Sequence, residues 1–297
     1  FKPAHLSETY ALIEQLTFQG AFPLIAVCDA LEVSRAGYYA WQLHSESARE
    51  QRDRELMPLI RRIFWQHKRR YGARRIAVEL QAQGQPCGVD RVAKLLKTQG
   101  LQAIQPQSYK PQTTDSRHPL GYSPNLLQRS PPPAQLNRVW VADITYIPLK
   151  ESAFAYLALV LDLCSRRVVG WSLAEQMTET LILDALAHAI RDRQPAPGLI
   201  HHSDRGGQYA GQDYRAVLRR AEFRQSMSRA ANCYDNAFME SCFGTIKTEL
   251  EMTEYQDSRL ARQDIASYLA YYNHDRRHSS LNYLTPAAFE AQINGSN

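Results

Sequence analysis

Cysteine is scarce in this chain: Cys28, Cys87, Cys164, Cys233 and Cys242 are the only five in 297 residues, and no two have CxxC spacing. That scatter argues against a disulfide framework and a zinc site, and it fits a reducing compartment. Long apolar runs are missing too. The longest, Ala153 to Leu161, is broken by Asp162, and a bilayer span needs about 20 apolar residues. No charged, apolar and small-residue leader opens the chain, so secretion is not expected. Residue 1 is Phe rather than Met, as expected of a piece of a longer product or a trimmed one.

The front half is also short of acid relative to base. Residues 1–136 hold 18 Lys+Arg against 11 Asp+Glu, a balance of +7, and residues 137–297 hold 17 against 19, a balance of −2. A basic front before a mildly acidic back suggests a DNA-gripping region followed by a metal-dependent one. The chain is long enough for one sizeable core and one or two small domains.

Five segments follow from the pattern. Residues 1–48 form a helical segment: Phe22–Gln42 reads as two short helices around a turn, with Ser34 as N-cap of the second. Residues 49–104 form a second helix-turn-helix-like domain. Its charged helix over 49–66 has Leu56, Leu59, Ile60 and Ile63 on one side, and Pro58 is expected to kink or restart it. Helices follow from Ala73 to Gln83 and from Val89 to Gln99. The approach to them, Lys68-Arg69-Arg70-Tyr71-Gly72-Ala73-Arg74-Arg75, carries five cations in eight residues. A charge run is usually a solvated face, but Tyr71 and the helix pair make Arg69, Arg70, Arg74 and Arg75 candidates for DNA contact. Residues 105–135 are a Pro-rich linker.

From 136 the period changes to strands: Asn137–Pro148, Ala153–Leu163 and Arg166–Leu173. A helix over Thr178–Arg193, a strand at Leu199–Ser203, a helix over Gln212–Ala221, a strand at Arg224–Ser228 and a helix over Tyr234–Leu250 follow. This order describes a mixed α/β sheet with flanking helices, an RNase H-like core over 136–252. A helical extension, Arg259–Asn273 and Pro286–Gln292, fills 253–297.

Three carboxylates stand out. Asp143 shares a strand face with Val139, Val141, Thr145 and Ile147, where a lone half-buried carboxylate is costly unless paired or metal-bound. Asp204 ends the strand at 199–203, the usual place for a site in an open α/β sheet, with Gly206-Gly207 behind it. Glu240 follows after 35 intervening residues, on a helical face with Asn236, Phe243, Gly244 and Lys247. A strand, a strand end and a helix would thus offer hard oxygen ligands to two divalent metals, which suits in-line displacement at phosphorus. Lys247 is positioned to hold a phosphate, or to pair with Glu251. His201 and His202 read more readily as satisfied strand-end histidines than as ligands.

The words around the acids carry a resemblance. Trp140-Val141-Ala142-Asp143-Ile144-Thr145-Tyr146, His202-Ser203-Asp204-Arg205-Gly206-Gly207-Gln208-Tyr209 and Tyr234-Asp235-Asn236-Ala237 before Glu240 resemble the catalytic subunit of bacterial insertion-sequence transposases with an Asp-Asp-Glu triad. That group is close to retroviral integrases. The tail from Tyr271-Tyr272-Asn273 to Arg276, Arg277, His278, Leu281 and Thr285-Pro286 matches as well, as does Val33-Ser34-Arg35-Ala36-Gly37-Tyr38-Tyr39. The resemblance implies catalytic and metal-binding roles for Asp143, Asp204 and Glu240, with two Mg2+ ions and Mn2+ as a substitute. It implies DNA contacts at Lys247, Arg205, Asn236, Arg276 and His278. It further implies cleavage at element ends to free a 3′-OH, strand transfer by that 3′-OH, and a circular intermediate. Expected partners are double-stranded DNA, further copies of the chain (at least a dimer on DNA) and an upstream helix-turn-helix and leucine-zipper region, fused or separate. The expected location is the cytoplasm, on the nucleoid. Nothing matches the zinc module of retroviral integrases, so zinc is not expected. Two other classes stay open: an inactive DNA-binding regulator, and an RNase H-like nuclease without strand transfer.

Overall fold

The computed structural model describes residues 6–20, 22–43, 47–105, 121–127, 133–150, 154–228, 237–251 and 254–295. The chain divides into two compact units, 1–62 and 63–297.

In the first unit, α1 (Leu6–Thr17), α2 (Leu24–Ala30) and α3 (Arg35–Gln42) close over Tyr10, Ile13, Val27, Cys28 and Tyr38. Ser34 is the N-cap foreseen for α3: its Oγ accepts from the Gly37 N–H at 3.0 Å. The next helix, α4 (Ala48–Gln66), begins in this unit and ends in the second, so the division falls inside a helix. Ser47 and Glu50 start α4 as a reciprocal capping box, each side chain bonding the other's backbone N–H at 2.9 and 3.3 Å. Pro58 lies within α4 without ending it.

The second unit continues with α5 (Ala73–Ala82) and α6 (Val89–Thr98), close to the expected spans. Its sheet contains β1 (Val139–Pro148), β2 (Phe154–Asp162), β3 (Val168–Ala174), β4 (Ile200–Ser203) and β5 (Arg224–Met227). The strand order is β3-β2-β1-β4-β5; the first three run antiparallel, and β4 and β5 join parallel to β1. Between them run α7 (Glu179–Arg193) and α8 (Gln212–Arg220); after them come α9 (Ala237–Glu249), α10 (Ser258–His274) and α11 (Pro286–Gly295).

Side-chain alternation splits the sheet into two apolar layers. Val139, Val141 and Ile147 of β1, with Leu157, Leu159 and Leu161 of β2, face Met239, Phe243 and Ile246 of α9 and Ile265 and Leu269 of α10. Trp140, Ala142, Ala158 and Val160 face Leu181, Ile182, Ala185 and Leu186 of α7 and Tyr214 and Leu218 of α8. Both faces are covered, which is why β2 reads as an unbroken apolar run. Each such fully buried aliphatic side chain contributes about 1.5–3 kcal/mol. Helix α7 sits so close to the sheet that a Cβ on Gly170 would run into the Ala185 carbonyl oxygen and Ala189. The Glu179 carboxylate at the head of α7 accepts from the Tyr214 N–H at 2.8 Å, which caps the first turn of α8. Among the described residues, no helix is long and apolar enough to cross a membrane.

Candidate active site

Register brings the first two acids together. Along the parallel pair of β1 and β4, Val139 meets Ile200, Trp140 meets His201 and Val141 meets His202. Extending that register by two residues would set Asp143 opposite Asp204, which lies just past the end of β4. Both acids line one narrow cleft with Ile144, Tyr146, Met177, Gln208 and Tyr209. Asp143 is half-buried on the β1 face that packs against α9 and α10, and its Oδ1 accepts from the Ile144 N–H at 2.8 Å. Asp204 accepts from the Gly206 N–H at 2.9 Å.

The electrostatics reflect that proximity. Burial first, and then the Asp204 charge, push the Asp143 carboxyl well above the usual carboxylate range; Glu240 adds to the rise, while the Ile144 N–H and Lys247 oppose it. Burial lowers the Lys247 ammonium, and Asp143 partly restores it. The Lys247 and Asp143 charges are therefore close enough to act on one another. Glu251, the alternative partner of Lys247 by spacing, lies 3.6 Å from Arg69.

Glu240 is exposed on α9, and its charge reaches Asp143. Among the described residues, no three His, Cys, Asp or Glu side chains gather as a metal-holding group. Two acids are thus brought together, and the third acts on Asp143 through its charge. The donor set still suits a hard divalent cation. A buried carboxylate whose proton affinity is raised by burial and by a neighbouring carboxylate is relieved by a cation, and oxygen is the ligand Mg2+ takes. Tyr209, 2% exposed, adds a buried hydroxyl without a hydrogen-bond partner in the same cleft.

The histidines beside Asp204 are buried in the protein interior. His201 Nε2 lies 3.0 Å from the Tyr214 hydroxyl, and His202 Nδ1 lies 2.8 Å from Ser226 Oγ. Burial, then the neighbouring His202, lower His201 to about 3, so it is neutral.

The candidate DNA-contacting residues divide. Arg74 is exposed and Arg69 is partly so. Arg205 spans the site's edge: its Nε donates to the Ser228 carbonyl at 2.7 Å and its guanidinium lies 4.6 Å from the Tyr122 ring. Asn236 lies outside the described residues, as do Tyr234 and Asp235. Arg70, Arg75, Arg276 and His278 face inward. Arg276 is 5% exposed and bonds both carboxylate oxygens of Glu249 at 2.7–3.0 Å, which raises its pKa against the effect of burial. His278 packs edge-on to Tyr272, and burial together with the Arg276 and Arg75 charges lowers it to about 3. A guanidinium spent on a buried carboxylate and a neutral, enclosed imidazole offer little to a phosphate in this arrangement.

Two structural acids escaped the sequence reading. Glu249 is one. Glu290 is the other: it accepts from Ser165 Oγ at 2.7 Å and pairs with Arg167 and Arg193 at 2.7 and 2.8 Å, fastening α11 to the core. A signal for Glu249 existed, because it continues the buried stripe of Cys242 and Ile246 at helical spacing.

Two kinds of family model match this chain, and so do relatives along most of its length. An integrase core domain family matches residues 133–233, a second integrase core domain family matches 221–286, and an HTH-like domain family matches 50–109. The chain is 41% identical over 265 residues to the insertion element IS600 uncharacterized 31 kDa protein of Shigella sonnei, covering 89% of this chain and 97% of that one. It is 40% identical over 285 residues to the transposase InsF for insertion sequence IS3A of Escherichia coli (strain K12), covering 95% and 98%. Among solved structures, the HTLV-2 integrase catalytic core domain in complex with magnesium (dimeric form) aligns at a TM-score of 0.40 and 18% identity, over 51% of this chain and 94% of that one.

Proposed function

The chain belongs to the insertion-sequence transposases that carry an integrase core domain, and from that premise we propose that Asp143, Asp204 and Glu240 are its catalytic acids. It is a DNA transposase, a polynucleotidyl transferase. The proposed reaction has two displacements at phosphorus. Water first hydrolyses a phosphodiester at an element end and frees a 3′-OH; that 3′-OH then attacks a second phosphodiester, releasing its 3′ oxygen and joining element to target.

Asp143 and Asp204 would hold divalent cations in the cleft, with Glu240 as third ligand; two Mg2+ ions, or Mn2+ in their place, would supply Lewis-acid polarisation and a more acidic water. Lys247 holds a DNA phosphate beside the acids. Tyr209 supplies a hydroxyl donor inside the cleft. Arg69 and Arg74 grip the duplex away from the reacting bond. The partner is double-stranded DNA, and two ends handled together call for at least two subunits on it. What supports this reading above all is the β1–β4 register, extended to bring Asp143 beside Asp204 in one cleft.

The test is incubation of the full chain with Mg2+ and labelled duplex bearing the ends of its own element. Nicking and joining are expected. Asp143→Asn, Asp204→Asn or Glu240→Gln should each abolish both while leaving duplex binding intact, and normal cleavage by any one would remove that residue from the site. Nicking without joining would favour a nuclease.

A further inference from the structure

The helix that carries Glu240 has two kinds of contact. Along its length Met239, Cys242, Phe243 and Ile246 pack on the sheet. Such apolar contact is strong but non-directional, so it fixes the helix's distance from the sheet better than its slide and roll. Its last residue is different. Glu249 is 7% exposed, and its carboxylate accepts two bonds from Arg276 Nε at 2.9 and 3.0 Å, one from Arg276 Nη2 at 2.7 Å and one from the Tyr268 hydroxyl at 3.0 Å. Arg75 lies 3.8 Å from the same carboxylate. Charge-assisted, forked bonding of this kind fixes orientation as well as distance.

The cationic approach segment meets the same point. Arg70 Nε donates to the Glu249 backbone carbonyl at 3.2 Å, with its guanidinium 4.9 and 4.6 Å from the Tyr268 and Tyr271 rings. The Tyr71 hydroxyl donates to the Asp275 carbonyl at 3.0 Å and accepts from the Arg277 N–H at 2.7 Å; Arg277 forks onto Glu79 of α5. His67 stacks on Tyr71 with ring centres 3.8 Å apart. A polar joint thus links the segment that carries partly exposed Arg69 and exposed Arg74 to Glu249, at the end of the helix that carries Glu240. A buried ionic cluster is a poor way to gain stability, and its better-attested use is to select one arrangement.

We propose that Glu249 is a positioning residue for Glu240: through the joint at the C-terminal end of α9, the segment that carries Arg69 and Arg74, held to Glu249 by Arg70 and Arg75, sets whether the third acid stands with Asp143 and Asp204. Over nine residues a helix advances about 13.5 Å, so a small change of slide or roll at Glu249 is carried rigidly to Glu240. The inference rests on the reading of Glu240 as third acid.

The test uses the full chain, an end duplex of its element and the variants Glu249→Gln, Tyr268→Phe and Glu240→Gln. Glu249→Gln keeps the side chain's volume and removes its charge; Tyr268→Phe removes a single donor and serves if Glu249→Gln does not fold. The joint variant that folds, by near-ultraviolet circular dichroism, should bind the duplex within about twofold of wild type. Its cleavage rate at saturating duplex should fall about tenfold for Glu249→Gln and about threefold for Tyr268→Phe. Amide exchange in 237–249 of the duplex-bound protein should quicken about tenfold in Glu249→Gln and measurably in Tyr268→Phe. A lowered melting temperature with the wild-type rate at saturation would make the joint merely structural and overturn the proposal. So would a loss confined to duplex affinity. If Glu240→Gln itself cleaves normally, the reading of Glu240 fails instead; if Glu240→Gln is dead while the folded joint variants cleave normally, only the joint proposal fails.

Discussion

Acidification should unfold this protein in part through His278. Its imidazole is 8% exposed, packs edge-on to Tyr272 with ring centres 4.6 Å apart, and has Nε2 3.4 Å from Arg276 Nη1, an arrangement that asks for a neutral acceptor nitrogen. Burial, then the Arg276 and Arg75 charges, hold its pKa at about 3 against an ordinary 6.5. A histidine depressed in this way contributes stability that is fully present above pH 6.5 and is lost as pH falls toward 3, because the unfolded chain takes up the proton first. At about pH 5 the unfolded histidine lies roughly 1.5 units below its pKa, which costs about 2 kcal/mol at about 1.4 kcal/mol per unit. For a unit of this size that is a fall in Tm of about 4–8 °C. The assay is urea unfolding followed by tryptophan fluorescence at a series of pH values, on wild type and on His278→Gln, whose amide oxygen still accepts from Arg276. Other groups titrate in both chains, so the difference between the two curves isolates His278. It should shift by about 2 kcal/mol between about pH 7.5 and 5 in favour of the variant. Parallel curves would refute the buried, neutral histidine, and with it the placement of the tail from Arg276 onward.

Three further outcomes follow from the same geometry. Asp143→Asn should melt higher than wild type without added metal, because an amide removes first the cost of burying a charge and then the Asp204 repulsion that together raise the Asp143 carboxyl; an unchanged or lower Tm would mean Asp143 is not a buried carboxylate crowded by Asp204. Gly170→Ala should cost about 1–3 kcal/mol in urea unfolding, since the new methyl meets the backbone of α7; a cost within about 0.5 kcal/mol would mean α7 is not seated on β3 as described. Arg74→Gln should reduce the slope of log affinity against log salt for duplex binding by about one, whereas Arg276→Gln should lower stability and leave that slope alone; the opposite pairing would exchange the roles assigned to the exposed and the buried arginine.

Much of the fold was legible because its signals are local. Ser34 before α3, the glycine break between α5 and α6, and the apolar stripe of α7 each lie within a few residues of what they determine. The candidate acids were legible for a related reason: a carboxylate in an apolar strand, or at a strand's end, is anomalous in its own neighbourhood. Their grouping was less so. The β1–β4 pairing joins segments that are remote in sequence, and only its register sets Asp143 beside Asp204.

The cations show the limit most clearly. Arg69, Arg70, Arg74 and Arg75 form one basic run in the sequence, yet Arg74 is exposed while Arg70 and Arg75 turn inward to Glu249. Arg276 and His278, read as DNA contacts from the tail that carries the resemblance, are enclosed by the joint. Composition and periodicity thus determined by themselves the order of elements and which acids are out of place, because backbone propensity and burial act over a turn or a strand. Which side of a charged residue faces water was decided only by the tertiary structure. A guanidinium can satisfy itself on a phosphate, on a buried carboxylate or on a backbone carbonyl, and Glu249, whose carbonyl takes Arg70 and whose carboxylate takes Arg276, is 179 residues from the first and 27 from the second.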